Sequence, residues 1–170
     1  FKAVLRRRRY DWQWHAEALR SLFNNLRQVA GERVPFHALV PELEPDLLSA
    51  LILAANSGGW QIASFETEKN ANLAMVTFSQ KKTGRKKPVP ADVNFIRRTL
   101  RQTLEKRAEP AEYISLHASA LLALAEKNYL TFDDDSIGNL RKLIHTALES
   151  DEFTDLEGRA HPETGRWALS

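Results

Sequence analysis

A phrase that occurs twice constrains this chain more than any other feature. Trp14-His15-Ala16-Glu17-Ala18-Leu19 is answered 102 positions on by Leu116-His117-Ala118-Ser119-Ala120-Leu121, an apolar residue followed by His-Ala-x-Ala-Leu, and Leu22 and Leu124 stand in step three residues later. The echo continues. Leu47, Leu51, Ala54 and Trp60 are matched 93 positions on by Leu140, Ile144, Ala147 and Phe153, and Val76 and Phe78 are matched 91 positions on by Trp167 and Leu169. A spacing that shrinks along the chain is what loop shortening in a second copy produces, so two copies of one small unit are expected. In that alignment His15 and His117 occupy equivalent places on the first helix of each copy.

At 170 residues with 43% hydrophobic content, the chain suits one large or two small domains with a core for each. No apolar run approaches the ~18 residues of a membrane span, and no charged start followed by an apolar stretch resembles a secretion signal. Zero cysteines exclude a disulfide framework and a thiolate metal site, and fit a reducing compartment. A cytoplasmic location is expected. The chain starts at Phe1 without a Met and so reads as a piece of a larger protein.

Charge divides the chain. Residues 1–107 carry 19 Lys+Arg against 10 Asp+Glu, whereas residues 108–170 carry 5 against 12. The first part suits a polyanion partner and the second does not.

In chain order, Arg6-Arg7-Arg8-Arg9 is either a solvated end or a phosphate-contacting arm. From Asp11, Trp14, Ala18, Leu19, Leu22, Phe23, Leu26 and Val29 recur at three- and four-residue spacing up to Gly31, an amphipathic helix with a glycine stop. Val34-Pro35-Phe36 is extended, and Phe36 to Leu43, interrupted by Pro41, allows a turn or two of helix. Pro45 opens a helix that is apolar nearly all round and ends at Gly58-Gly59. Trp60 to Phe65 and Leu73 to Phe78 alternate as two strands of a hairpin, with Glu66 to Asn72 as its loop.

A basic linker from Lys81 to Pro88 leads into a helix from Asp92 to Arg107, on which Val93, Ile96, Leu100 and Leu104 form an apolar stripe. A second set follows: a helix from Tyr113 to near Asn128, an extended Tyr129 to Phe132, a capping loop at Asp133 to Ser136, a helix from Ile137 to Glu149, and a hairpin of Phe153–Leu156 with Arg166–Leu169. The expected fold class is therefore α+β, with a first unit at 10–80, a linker and connecting helix at 81–108, and a second unit at 109–170. Helix, short extended piece, short helix, helix and then a hairpin is the order of a winged helix, a variant of helix-turn-helix.

This order resembles the tandem winged-helix family. Arg107-Ala108-Glu109-Pro110-Ala111 leading into Leu116-His117-Ala118, with a terminal Trp167-Ala168-Leu169 strand, is similar to an accessory region of bacterial adenine-specific DNA methyltransferases outside their catalytic domain. The resemblance covers most of the chain and implies a DNA-handling module. The Asp/Asn-Pro-Pro-aromatic tetrapeptide and glycine-rich cofactor loop of those enzymes are missing, so no methyl transfer is carried over to these residues.

Other chemistry is scarce. Gly58-Gly59 ends a helix before a strand, the reverse of a phosphate loop. No two of the five histidines stand three or four residues apart, so structural imidazoles are expected rather than metal ligands. Asp133-Asp134-Asp135 is a capping loop before it is a cation site, and Glu66 and Glu68 have no partner base. Trp12, Trp14, Trp60 and Trp167 are expected to anchor the core. Neither enzyme activity, cofactor nor metal is expected.

The partner expected first is double-stranded DNA, held mainly through phosphates by Lys81, Lys82, Arg85, Lys86, Lys87, Arg97, Arg98 and Arg101, with Arg141 and Lys142 as the candidate readers of the second unit. The alternative is a docking module for the rest of its parent chain or another subunit. That alternative has its own support, because Pro45 to Asn56 carries no Lys, Arg or Gln with which to read base edges and is expected to be buried.

Overall fold

The computed structural model describes residues 12–41, 43–68, 73–81, 89, 92–158, 163 and 165–170. Among them the chain is α+β, with five helices and two three-stranded antiparallel sheets. Helix α1 (Trp12–Val29), strand β1 (Phe36–Val40), helix α2 (Pro45–Ser57), and strands β2 (Trp60–Glu68) and β3 (Leu73–Gln80) form the first half. Helix α3 (Val93–Arg107), strand β4 (Ala111–Glu112), helices α4 (Tyr113–Glu126) and α5 (Ser136–Leu148), and strands β5 (Phe153–Asp155) and β6 (Arg166–Leu169) form the second. The sheets run β1-β3-β2 and β4-β6-β5, so in each the last strand lies in the middle.

Helix α2 is the centre of both halves. It starts on Pro45, whose fixed φ and missing N–H suit a first turn. From Leu48 to Ala55 every residue is buried, against α1 and β2 on one side and α4 and α5 on the other. An isolated helix that is apolar all round would be insoluble, and here it is wrapped. Burying Leu48, Leu51, Ile52 and Leu53 contributes roughly 1.5 to 3 kcal/mol each. The helix expected to be buried rather than to read DNA is so, and one continuous apolar core spans the two halves.

Where α1 crosses the end of α2, a Cβ on Gly58 would stand 2.6 Å from Phe23 Cβ, so only glycine permits the approach. Phe23 fills the space this opens. It packs edge-on against Phe36 and Phe78, and its carbonyl accepts a 2.9 Å hydrogen bond from Trp60 Nε1.

Helix α3 is capped at its start by Asp92, whose Oδ1 accepts from Phe95 N at 2.7 Å. Its stripe, Ile96, Leu100 and Leu104, packs on α4, α5 and β6, which places this helix on the second half. It ends at Ala108 with φ 53°, a left-handed cap that costs an alanine about 1 kcal/mol and a glycine almost nothing. Ala108→Gly is therefore expected to raise unfolding free energy by up to about 1 kcal/mol in a urea melt, and a fall would show that the Ala108 methyl makes contacts worth more than the strain.

Three sequence expectations are corrected. Phe36 to Leu43 forms no helical turn: Phe36–Val40 is the edge strand β1, paired with β3 from Phe36↔Phe78 to Val40↔Ala74. Its alternation was hidden because the outward residue Leu39 is as apolar as the inward ones and is 62% exposed. Glu66 lies within β2, opposite Met75, rather than in the hairpin loop, whose tip at 69–72 falls outside the described residues. The repeated phrase does not mark equivalent helices. Its first copy lies in α1, ahead of β1, and its second in α4, behind β4; the helix ahead of the second sheet is α3. His15 is half-buried beside the rings of Trp12 and Trp14, whereas His117 is fully buried. Small and apolar residues in this order suit any closely packed helix, and α4 is packed nearly all round. The rest of the alignment matches structure in part. With Trp60 set on Phe153, the strand pairing puts Trp167 in the place of Phe78 and Leu169 in that of Gln80. The match of Val76 with Trp167 and of Phe78 with Leu169 is therefore out of register by two residues, and Phe78 is fully buried where Leu169 is 37% exposed. Helices α2 and α5 each precede their hairpin, Trp60 and Phe153 each open a strand, and Val76 and Trp167 are each buried on the middle strand.

Candidate nucleic-acid interface and the junction beneath it

The basic residues separate into engaged and available groups. Lys81 follows β3 and donates from Nζ to the Asn56 carbonyl at 2.6 Å, closing the end of α2. Lys82, Arg85, Lys86 and Lys87 lie outside the described residues. On α3, Arg98 Nε donates to the Asn94 carbonyl and Arg97 Nη1 to Asn94 Oδ1, both at 3.3 Å. Neither contact neutralises the cation. Arg101 is held by Glu105 at 2.9 Å and Glu152 at 3.3 Å, which raise its already high pKa further, Glu105 foremost.

The second candidate surface is weaker. On α5, Arg141 is paired with Asp46 at the start of α2 and lies 3.2 Å from Glu163 Oε1, the latter contact not aligned as a hydrogen bond. Arg141 thus joins the two halves instead of pointing at a partner. Lys142 is exposed and meets no acid among the described residues.

Beneath Arg141 lies a junction that spacing could not reveal. His117 on α4 is fully buried, with Nε2 2.8 Å from Ser49 Oγ on α2 and Nδ1 3.3 Å from the Tyr113 hydroxyl. Burial pushes its pKa down to about 3, helped by nearby His145 and opposed by a hydrogen bond to the Pro45 backbone. It is therefore a neutral imidazole, one nitrogen donating and the other accepting. Burial, and then Glu163, raises the Tyr113 pKa, so its phenol stays protonated. His145 packs edge-on against the Tyr113 ring, with Nε2 3.4 Å from Glu163 Oε1; burial lowers its pKa against the pull of that carboxylate.

A serine, a histidine and a tyrosine in hydrogen-bond contact invite a catalytic reading. All three are at most 1% exposed, so no substrate reaches them. Their chemistry is to satisfy polar groups inside a core that joins α2 to α4. No family model, no curated protein and no solved structure matches the chain. Among the described residues no group of three or more His, Asp or Glu is placed to hold a metal ion, and no helix is long and apolar enough to cross a membrane. Asp133 instead serves its own loop, its Oδ1 accepting from Asp135 N and Ser136 Oγ.

Of the four tryptophans expected in the core, Trp60 and Trp167 are there; Trp14 is 40% exposed and Trp12 half-buried. Trp14, Ala18, Leu22 and Val29 form an exposed apolar stripe on α1 beside the buried Ala16–Phe23 face. The period of α1 was legible, but its apolar arc is wider than the core it covers.

Proposed function

We propose that the chain is a DNA-handling module of two winged-helix units, holding duplex DNA by phosphate contact rather than by reading bases. The order α3-β4-α4-α5-β5-β6 with sheet order β4-β6-β5 supports a winged-helix reading of the second half, and α1-β1-α2-β2-β3 is the same order with one helix fewer. An accessory role beside a DNA-modifying enzyme is part of this proposal.

One observation carries the phosphate mode: Arg97 and Arg98 meet no acid among the described residues and lie on the next helix in sequence after the basic segment 81–87, while the helices before the two hairpins have little to read with. Helix α2 is buried, and Arg141 on α5 is committed to Asp46. A second reading, docking to another part of the parent chain or to a subunit, is favoured by the exposed Trp14, Leu22 and Val29 on α1.

Titration of a labelled duplex at two salt concentrations tests the proposal. Replacing Lys81, Lys82, Arg85, Lys86 and Lys87 by Gln is expected to weaken unrelated duplexes equally and to flatten the log-log salt slope by about 4 units, at ~0.9 per phosphate. Arg97→Gln with Arg98→Gln should flatten it further, and Arg101→Gln much less, since Glu105 and Glu152 already neutralise it. Undiminished binding by the linker variant, with loss of one sequence on Arg141→Ala and Lys142→Ala, would move the interface to the second half. Absence of duplex binding at low salt would leave docking.

A further inference from the structure

Helix α1 has an apolar line besides its buried face. Trp14, Ala18, Leu22, Asn25 and Val29 recur at spacings of four, four, three and four, which keeps them in one row along a helix of 3.6 residues per turn. All five are exposed, Trp14 at 40%, Leu22 at 46% and Val29 at 81%. The row holds no charge. Glu17, Arg20 and Arg27, the charged residues of α1, lie off it, and both cations turn to the protein: Arg20 sits 4.9 Å over the Phe132 ring and Arg27 lies against Gly59. The solvent side of a surface helix is ordinarily charged or polar, so four apolar residues in a row over an 18-residue helix mark an interaction face.

The face is firmly held, and its shape complements itself. Phe23 anchors α1 in the first half, and Gln13 Nε2 donates to the Asp133 carbonyl of the second half at 2.7 Å. Ala18, Ser21, Leu22 and Asn25 stand at i, i+3, i+4 and i+7, the corners of a hole that takes one knob from a facing helix. Three of the four are short, which leaves room for a leucine. With two copies of α1 antiparallel about a two-fold axis between Ser21 and Leu22, Leu22 of each copy enters the hole of the other. Trp14 then meets Val29, and Ala18 meets Asn25. Such an axis sets each flank of the row against the same flank of its mate. Glu17 and Gln28 share a flank, so Glu17 of one copy reaches Gln28 of the other while the two carboxylates stay apart. Antiparallel helix dipoles also attract.

We infer that α1 pairs with α1 of a second copy of this chain, antiparallel, through Trp14, Ala18, Leu22, Asn25 and Val29. The inference rests on the docking reading of α1 and gives it a partner; it uses none of the cations assigned to DNA phosphates. A lipid surface is the poorer occupant, because Glu17, Ser21, Asn24 and Gln28 along the flank include no cation to meet its phosphates. One helix pair buries less than the ~1,200 Å² at which stable interfaces begin, so the dimer is transient and its population rises with concentration.

Sedimentation equilibrium of the whole chain at rising concentration is the test, and a monomer–dimer equilibrium is expected. Ala18→Glu changes an exposed site but sets a carboxylate in the middle of the contact, and should weaken the dimer about tenfold. Adding Asn25→Lys should restore association, because antiparallel pairing sets position 18 of one copy against position 25 of the other; a parallel pair would gain nothing from it. Urea melts show whether the variants fold. If Ala18→Glu unfolds the chain, the same comparison is made with Val29→Glu and its rescue by Trp14→Lys. A monomer at every concentration, a dimer indifferent to Ala18→Glu, or a folded Ala18→Glu variant that Asn25→Lys fails to rescue would each overturn the proposal. So would a monomer that co-sediments with vesicles of phosphatidylcholine and phosphatidylserine, which would give the face to lipid. A monomer alone leaves docking to the rest of the parent chain standing, whereas an Ala18→Glu change that also leaves the parent protein's own assembly untouched removes that reading too.

Discussion

Between pH 7 and pH 5 the protein is expected to lose about 2 kcal/mol of unfolding free energy through His117 alone, at about 1.36 kcal/mol for each pH unit of differential protonation. The sign follows from burial. In the unfolded chain the imidazole takes its proton near its ordinary 6.5, whereas the folded state refuses one until about pH 3. Stability from this residue is therefore complete above pH 6.5 and drains as pH falls toward 3. His145, also lowered by burial, acts in the same direction, opposed by Glu163 and Glu149 and assisted by Arg141. Urea melts across this range check the slope. His117→Gln keeps donor and acceptor capacity but has no proton to take up, so its melts should start less stable and vary less with pH below 6.5. An unchanged slope in that variant would place the acid sensitivity elsewhere.

Leu51→Ala is expected to cost about 2 to 5 kcal/mol, the range for emptying a leucine site in a packed core, since Leu51 is 8% exposed on the helix that both halves wrap. The larger consequence concerns cooperativity. Ser49–His117, Arg141–Asp46 and Gln13 Nε2 to the Asp133 carbonyl at 2.7 Å all cross between halves, as does the apolar core. The chain should therefore unfold in one transition, with Trp60 and Trp167 fluorescence, read in variants that retain only one of them, melting together in parent and in Leu51→Ala. Two transitions, only the first moved by Leu51→Ala, would mean that the halves are independent domains.

Much of the fold was legible because its elements are amphipathic at their own periods. The Val93 to Leu104 stripe gave α3, the alternation at Leu73 to Phe78 gave β3, and Pro45 with Gly58 bracketed α2. Strand β1 was hidden by an outward Leu39 that broke no hydrophobic run, and by flanking Pro35 and Pro41 that read as interruptions. The repeated His-Ala-x-Ala-Leu misled because helix composition recurs without common descent of position. Long-range chemistry left no trace in spacing. Ser49 and His117 stand 68 residues apart, and nothing in either segment announces the other. For the same reason nothing in the sequence around Arg141 announced Asp46, 95 residues earlier, as its partner. The linker cations were legible as charge alone, and charge names a class of partner without naming its surface.

The central position of α2 also matters while the chain is being made. Its partners on one side, α4 and α5, lie later in sequence, so the nascent first half carries a helix with one apolar flank bare. At ordinary elongation rates the ribosome needs on the order of ten seconds to pass from Ser57 to Leu148. During that interval the nascent chain exposes the kind of apolar surface that makes a folding intermediate prone to aggregate, a hazard that the stability of the finished fold does not remove.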